Sequence, residues 1–152
     1  MSFTQHVFPS FALGLAAGKF NFGSDTLKCG LSDNAGPITL ATTNVKTAAL
    51  WTDWKSNVAA EISGTGYTAG GATLSGESVS YGGTNNDVTT FTFSNPSWTS
   101  ASFTANQAIF YDSSASTYQL ICFWDFGGAL TVTSGTFTLG INASGLMTAT
   151  CS

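Results

Sequence analysis

Short runs in which aromatic or β-branched side chains alternate with polar ones recur along this chain, and glycine-rich turns separate them. Phe91 and Phe93 alternate with threonines, and Phe137, Leu139 and Ile141 alternate with threonine and glycine. A period of two is typical of half-buried β-strands. Aromatic residues make up 13% of the chain, a content that suits pleated strands better than helices. These patterns predict an all-β fold, either a sandwich or a barrel-like domain.

Four segments add detail to this prediction. Residues 25–31 are predicted to be the first strand, and residues 120–126, which are apolar at both parities, a central strand covered on both faces. Residues 136–141 and 146–151 flank a turn and are predicted to form a C-terminal hairpin.

Helical spacing is confined to the N-terminal third. Residues 8–20 and 45–62 are the candidates for one or two short helices, the second with Leu50, Trp54, Val58 and Ile62 at intervals of four. Nothing divides the chain, so residues 1–152 are predicted to form a single β domain, with 1–11 a candidate extended arm.

Charge is scarce, and only 8% of the residues are Asp, Glu, Lys or Arg. The basic residues are Lys19, Lys28, Lys46 and Lys55, there is no arginine, and the net charge is −4. Nucleic-acid binding calls for a basic face, so this composition argues against it. A weakly charged surface agrees with a protein that is covered by a partner, and equally with a polar surface of the kind found on secreted proteins.

The three cysteines cannot all pair within one chain, and they are predicted to be reduced thiols: Cys29, Cys122 and Cys151. With His6 as the single histidine and no C-x-x-C motif, we expect neither a metal site nor a cofactor. No segment reaches the roughly 20 apolar residues that a membrane helix needs, so we expect no membrane association.

Candidate catalytic groups are few, and no enzyme is predicted. His6 alone would have to serve a Ser-His-Asp site. A carboxylate pair for glycoside hydrolysis could come from five residues: Asp53, Glu61, Glu77, Asp112 and Asp125. The glycine-rich segment Gly64–Gly71 leads into a predicted strand instead of a helix, so it is interpreted as a β-turn loop and not as a phosphate-binding loop.

Four tryptophans leave a carbohydrate-binding module open as an alternative: Trp51, Trp54, Trp98 and Trp124. Their indole rings could stack on sugars, although β cores and subunit interfaces also commonly contain tryptophan. Trp124 lies in the most apolar predicted strand, which favours a core position for that residue.

The segment Glu61–Leu74 resembles a segment of small virion structural proteins of tailed bacteriophages. Three further segments are similar to that family in the same order: Gly18–Lys28 to its first strand, Ser97–Ala101 to its middle turn, and Asp125–Gly127 with Gly135–Thr138 to its C-terminal hairpin. The resemblance covers most of the chain and rests on turn and strand residues, so it implies a fold and a virion role but no active site.

The resemblance implies a non-enzymatic virion protein made in the bacterial cytoplasm. A capsid decoration or cement protein bound to the major capsid protein is the leading hypothesis, and a tail or fibre component is the alternative. Many copies or a homo-oligomer are expected. Exposed strand edges and the N-terminal arm are expected to pair with neighbouring subunits by strand addition. Flexible segments are predicted to reach the neighbouring subunit, with candidate contact residues in the arm and in the glycine-rich loop: Phe3, His6, Phe8, Gly64, Tyr67 and Gly70.

Overall fold

The computed structural model describes residues 3–34, 36, 38–39, 41–42, 44–83, 88–114, 119–142 and 145–150. About 49% of the chain is in strands and 11% is helical, which confirms the all-β prediction. The described elements are, in chain order, β1 (Thr4–Val7), α1 (Pro9–Ala16), β2 (Leu27–Asp33), α2 (Trp51–Asn57), β3 (Ala60–Glu61), β4 (Ala72–Thr73), β5 (Ser78–Gly82), β6 (Val88–Thr92), β7 (Ser97–Asp112), β8 (Leu120–Thr138) and β9 (Met147–Thr150).

The larger sheet is antiparallel and has the order β1-β8-β7-β2-β3, with β4 also paired to β2. Its central pair is β7 and β8, which run together from Ser97 opposite Thr138 to Tyr111 opposite Leu120. Every residue from 120 to 126 is buried. The prediction of a central strand in this segment is therefore confirmed, because β1 and β7 flank it within the sheet and side chains pack on both of its faces.

The smaller sheet has the order β5-β6-β9, and β6 lies in its middle. The predicted C-terminal hairpin is wrong, because β9 pairs with β6 and not with the end of β8. Phe91 lies opposite Met147 in this sheet, and its carbonyl accepts a hydrogen bond from the Leu146 amide at 2.7 Å. A local turn signal at 142–145 thus leads the chain into the second sheet.

Two helices lie where helical spacing was predicted, but both are shorter than the predicted segments. Proline occupies the first position of α1, where a missing amide hydrogen costs no helical bond. At the start of α2, Asp53 Oδ2 accepts hydrogen bonds from the amides of Ala49 and Leu50, at 3.1 and 3.0 Å. This carboxylate fixes the N-terminus of α2, which explains why the helix does not extend back to Val45.

The helix α2 covers one face of β2 through its two tryptophans. A Cβ on Gly30 would lie 2.8 Å from the Trp51 ring, so glycine at that position lets the indole pack directly on the strand. Trp54 Nε1 donates a hydrogen bond of 3.1 Å to Ser32 Oγ. Burial of both indoles ties the helix to the larger sheet.

The predicted N-terminal arm is corrected by the structure, because its described residues belong to the domain. β1 pairs with β8 from Thr4 opposite Asp125 to Val7 opposite Cys122. Phe8 has no exposed surface, and its amide donates a hydrogen bond of 3.1 Å to the Ile121 carbonyl. The phenyl ring meets Trp54 edge to face, with the ring centroids 5.8 Å apart. This segment completes one side of the core.

Cys29 and Cys122 are free and buried, and Cys151 lies outside the described residues. Cys29 on β2 and Cys122 on β8 both lie opposite Phe110 of β7, so one strand separates the two thiols. Two strand spacings place the Cα atoms about 9.6 Å apart, beyond the roughly 7 Å that a disulfide tolerates. Burial raises the pKa of both thiols, which keeps them protonated and unreactive.

Candidate interaction surface

The predicted contact residues of the N-terminal segment all pack inward. Phe3 contacts the rings of Trp124 and Phe126, and His6 stacks on Phe123 with ring centroids 4.8 Å apart. Phe8 is buried, as described above. These three side chains anchor β1 to β8 and leave no extended arm among the described residues.

The predicted contact residues of the glycine-rich loop, Gly64, Tyr67 and Gly70, lie at the opposite side of the larger sheet and are also held internally. The Tyr67 hydroxyl donates a hydrogen bond of 2.9 Å to Glu61 Oε1 and accepts one of 3.0 Å from the Leu31 amide. The Gly70 amide donates to the same carboxylate oxygen. Burial, followed by the neighbouring Glu61 charge, raises the pKa of Tyr67, so the phenol stays protonated.

Glu61 also forms an ion pair of 3.2 Å with Lys55, whose ammonium lies 5.5 Å from the centroid of the Trp51 ring. The loop is therefore fastened to β3 and α2 by one carboxylate. The amides of Tyr67, Gly70 and Gly71 donate hydrogen bonds within the domain, which agrees with a β-turn loop.

Three of the candidate catalytic carboxylates have structural partners. Glu61 holds the loop, Asp53 holds the start of α2, and Asp125 accepts hydrogen bonds from the amides of Ile38 and Gly127. Glu77 lines a shallow depression beside Asp25. The described part of the chain contains no group of three metal-binding side chains.

Asp112 lies close to a second carboxyl group, that of Asp25. Its Oδ1 accepts a 2.7 Å hydrogen bond from the Ser114 amide, and the carboxylate of Asp25 acts on it electrostatically. Burial and the Asp25 charge raise the pKa of Asp112, while the Ser114 hydrogen bonds oppose part of that shift.

All four tryptophans are core residues, and none is more than 7% exposed. Trp51 stacks on Tyr111, Trp98 packs against Phe103, and Trp124 packs against Phe110. Because sugar binding by stacking needs an open ring face, none of these indoles provides such a platform in this conformation.

Beyond the larger sheet, β7 and β8 continue together as a two-stranded extension, here called the distal ribbon: Ser97–Ala105 paired with Leu130–Thr138. A bulge precedes the distal ribbon. Between two successive paired positions, β8 advances by five residues, from Asp125 to Leu130, while β7 advances by only two, from Gln107 to Ala105. One face of the distal ribbon is aromatic, where Trp98, Phe103 and Phe137 contact one another.

The other face of the distal ribbon carries hydroxyl groups. Ser97 and Thr138 share a side-chain hydrogen bond of 2.9 Å, and Thr104 and Thr131 share one of 2.8 Å. Four threonines of β8 are exposed there or at its rim: Thr131, Thr133, Thr136 and Thr138. The surface is polar but uncharged.

The β7 edge of the distal ribbon is covered by the glycine-rich loop. The Ser102 amide donates a 2.9 Å hydrogen bond to the Thr65 carbonyl, which forms an isolated bridge. A Cβ on Gly64 would lie 2.5 Å from the Ser102 carbonyl oxygen, and one on Gly66 would lie 2.8 Å from that of Thr99. Only residues without a side chain allow so close an approach.

The β8 edge of the distal ribbon is open. β1 pairs with β8 only from Cys122 to Asp125, and no described strand pairs with the outer side of Leu130–Thr138. A Cβ on Gly127 or Gly128, just before this stretch, would meet no atom within 4 Å. The chain has no charged side chain and no proline after Asp125. This outer side of Leu130–Thr138, here called the open edge, is the candidate interaction surface.

The sequence pointed to the arm, the loop and exposed strand edges in general, but it did not identify the outer edge of β8. The available signal was the uncharged C-terminal stretch after Asp125, combined with the alternation around Phe137. That alternation predicted the strand, but nothing in it showed that one edge of the strand would lack a partner.

Among the described residues, no helix has the length and apolar character required to cross a bilayer. Comparisons of the chain with protein-family models, with curated proteins and with solved structures gave no significant match.

Proposed function

We propose that this protein is a non-enzymatic structural component of a tailed-bacteriophage particle, with capsid decoration or cementing as its role and the major capsid protein as its partner. The observation that carries the proposal is the open edge of β8, a long strand edge without charge or proline. Monomeric proteins commonly protect such edges with charged residues, proline or a covering loop. An open edge of this kind is suited to strand addition by a neighbouring subunit.

The chemistry of the remaining surface supports an assembly role. Three of the candidate carboxylates are used to hold loops and helix ends in place, so a rigid scaffold accounts for them without a reaction. The resemblance of Glu61–Leu74, and of Asp125–Gly127 with Gly135–Thr138, to phage virion proteins supplies the type of particle. Contacts made through backbone groups and threonine hydroxyls need few ionic pairs, in agreement with a chain of twelve charged side chains.

Analysis of purified phage particles tests the proposal. Mass spectrometry of virions should detect this chain in many copies, and cryo-electron microscopy should place its density on the capsid, with β8 facing a neighbour. Attachment should survive 1 M salt, because screening weakens ionic contacts far more than backbone hydrogen bonds. Density on the tail would replace the capsid role by a tail or fibre role, and absence from virions would overturn the proposal.

The carbohydrate-binding alternative is tested separately with a glycan array. The buried positions of Trp51, Trp54, Trp98 and Trp124 give it no open aromatic platform. We therefore expect no glycan binding that is lost on substitution of any of these residues by alanine.

A further inference from the structure

We infer that the open edge of β8 is occupied by the same edge of a second copy of this chain, so that two distal ribbons join into a four-stranded antiparallel sheet about a two-fold axis. The inference rests on the proposed function and names the first contact of the assembly. The segment that pairs is Leu130–Thr138.

Backbone geometry makes this stretch competent to pair. Along a β-strand, alternate residues direct their amide and carbonyl groups to opposite sides, so pairing with β7 uses only half of the groups in Leu130–Thr138. The other half face outward on the open edge. The segment contains six β-branched or aromatic residues: Thr131, Val132, Thr133, Thr136, Phe137 and Thr138. Such residues favour extended backbone, so little reorganisation is needed to add another strand.

The bulge in the distal ribbon bends the open edge without closing it. Val132 lies opposite Phe103 and Gly135 opposite Ala101, so β8 carries one extra residue between these two pairs. Ser134, within this bulge, has a φ of 50°. A second register shift lies between Ala101 and Trp98, and β8 is paired with β7 beyond both irregularities. Bulges are one means of protecting a strand edge, but charge and proline are absent here. We therefore expect pairing on each side of Ser134.

Symmetry and charge favour a second copy as the occupant. An antiparallel edge is self-complementary, because a two-fold axis places the same donors and acceptors opposite one another. All twelve charged side chains lie at or before Asp125, with eight acidic and four basic. Two copies with a net charge of −4 repel each other, and this repulsion is weakest where the contact surface carries no charge.

The side chains next to the edge suit the same arrangement. Threonines pair across β7 and β8, as Thr104 and Thr131 do at 2.8 Å. A second β8 would continue this hydroxyl ladder, since Thr131 and Thr136 are exposed beside the open edge. Cross-strand threonine pairs add a further favourable contribution to sheet pairing. Neither copy would bury a charged group.

Sedimentation velocity over a range of protein concentrations tests the inference with the full chain. We expect a species of twice the 15.7 kDa chain mass, with a dissociation constant that changes less than threefold between 0.1 and 1 M sodium chloride. Hydrogen–deuterium exchange should show slower exchange in residues 130–138 as the concentration rises. A single 15.7 kDa species at every concentration up to about 1 mM would overturn the inference.

A charged variant and a matched control locate the contact. The double variant Thr133→Lys/Thr136→Lys places two cations beside the open edge of each copy, so that four like charges meet across the contact, and it should weaken dimerisation tenfold or more. Thr99→Lys introduces the same exposed side chain on β7, whose edge is covered, and it should leave dimerisation unchanged. Equal loss in both, or dimers whose slow exchange lies outside residues 130–138, would contradict the inference.

Circular dichroism of each variant shows whether the fold persists, and the exchange measurement on the native chain does not depend on any variant. The two proposals fail separately. If the chain is monomeric but is found in virions, the dimer inference fails and the virion role stands. If the chain is dimeric but is absent from virions, the virion role fails and the dimer inference stands.

Discussion

The hydroxyl of Tyr67 lies between two partners, donating a hydrogen bond of 2.9 Å to Glu61 Oε1 and accepting one of 3.0 Å from the Leu31 amide. This phenol thereby connects the glycine-rich loop, the β3 strand and the central part of β2. Because the ring also packs against Trp98 and Phe103, Tyr67 joins the polar fastening of the loop to the aromatic face of the distal ribbon.

Removal of this hydroxyl should destabilise the fold measurably. Tyr67→Phe keeps the ring contacts but leaves the Leu31 amide unsatisfied and deprives Glu61 of a donor, so a loss of about 1–3 kcal/mol in unfolding free energy is expected. Urea denaturation followed by tryptophan fluorescence measures it. Tyr81→Phe is the control, because Tyr81 is 76% exposed and should change stability by less than about 0.5 kcal/mol. An equally small effect at Tyr67 would show that its hydrogen bonds add nothing.

The N-terminal segment is expected to behave as core and not as a removable arm. Phe8→Ala deletes a fully buried ring that contacts Trp54 and Phe123, and should cost about 3–5 kcal/mol. Deletion of residues 1–11 should leave no cooperatively folding domain. Leu13→Ala on α1 is the control, since that side chain is 72% exposed. A truncated chain with native stability in thermal unfolding would restore the arm hypothesis.

The local sequence pattern was sufficient to predict those helices and strands whose own residues show which positions are buried. The stretch 120–126 is apolar at both parities and lies in the centre of the sheet, and α2 forms around Trp51 and Trp54 within its predicted segment. Strand β1 was missed because Thr4–Val7 is short and mostly polar, with one side of the strand exposed. Its position depends on β8, which lies more than a hundred residues away.

The sequence did not show which strands pair with one another, because here too the partner strands are far apart along the chain. Residues 136–141 and 146–150 look like a hairpin locally, but the Leu146 amide bonds to Phe91, a residue of distant β6. The candidate interaction surface was missed because an open edge is defined by the absence of a neighbour. Likewise, Gly64 and Gly66 predicted a loop, whereas its close packing on β7 required the tertiary fold.

The contact between Asp112 and Asp25 should make stability depend on pH. Burial, with the charge of Asp25, raises the pKa of Asp112 above its ordinary value of 3.8, so the folded protein binds this proton more tightly than the unfolded chain does. The ionised form therefore weakens the fold at neutral pH. As pH falls through the raised pKa towards 3.8, this group contributes increasing stability.

Asp112→Asn tests that sign. The amide keeps an oxygen to accept the Ser114 hydrogen bond and gains a donor towards Asp25, so the variant should be more stable than the native chain at pH 7. The difference should shrink as the pH approaches 3.8. Urea unfolding at a series of pH values measures both effects, with Glu77→Gln as a control for removal of a carboxylate elsewhere. A variant that is less stable by the same amount at every pH would contradict the assignment.

Substitution of Gly66 tests whether the glycine-rich loop protects the β7 edge of the distal ribbon. Its φ of 78° is in the left-handed region, and an added Cβ would lie 2.8 Å from the Thr99 carbonyl oxygen and 2.9 Å from the Ala101 Cα. Gly66→Ala should therefore displace the loop from β7 and lower the unfolding free energy by more than about 1 kcal/mol. Gly128→Ala is the control, because its Cβ would meet no atom within 4 Å.

Displacement of the loop should also change how the protein associates. With the bridge between Ser102 and Thr65 broken, β7 would present a second unprotected edge, and a chain with two open edges can extend beyond a closed dimer. Sedimentation of Gly66→Ala should then show species larger than a dimer that grow with concentration, while Gly128→Ala should match the native chain. Faster hydrogen exchange at the Ser102 amide would report the loss of the bridge directly. If that amide exchanges as slowly as in the native chain and no larger species form, the loop does not protect the β7 edge.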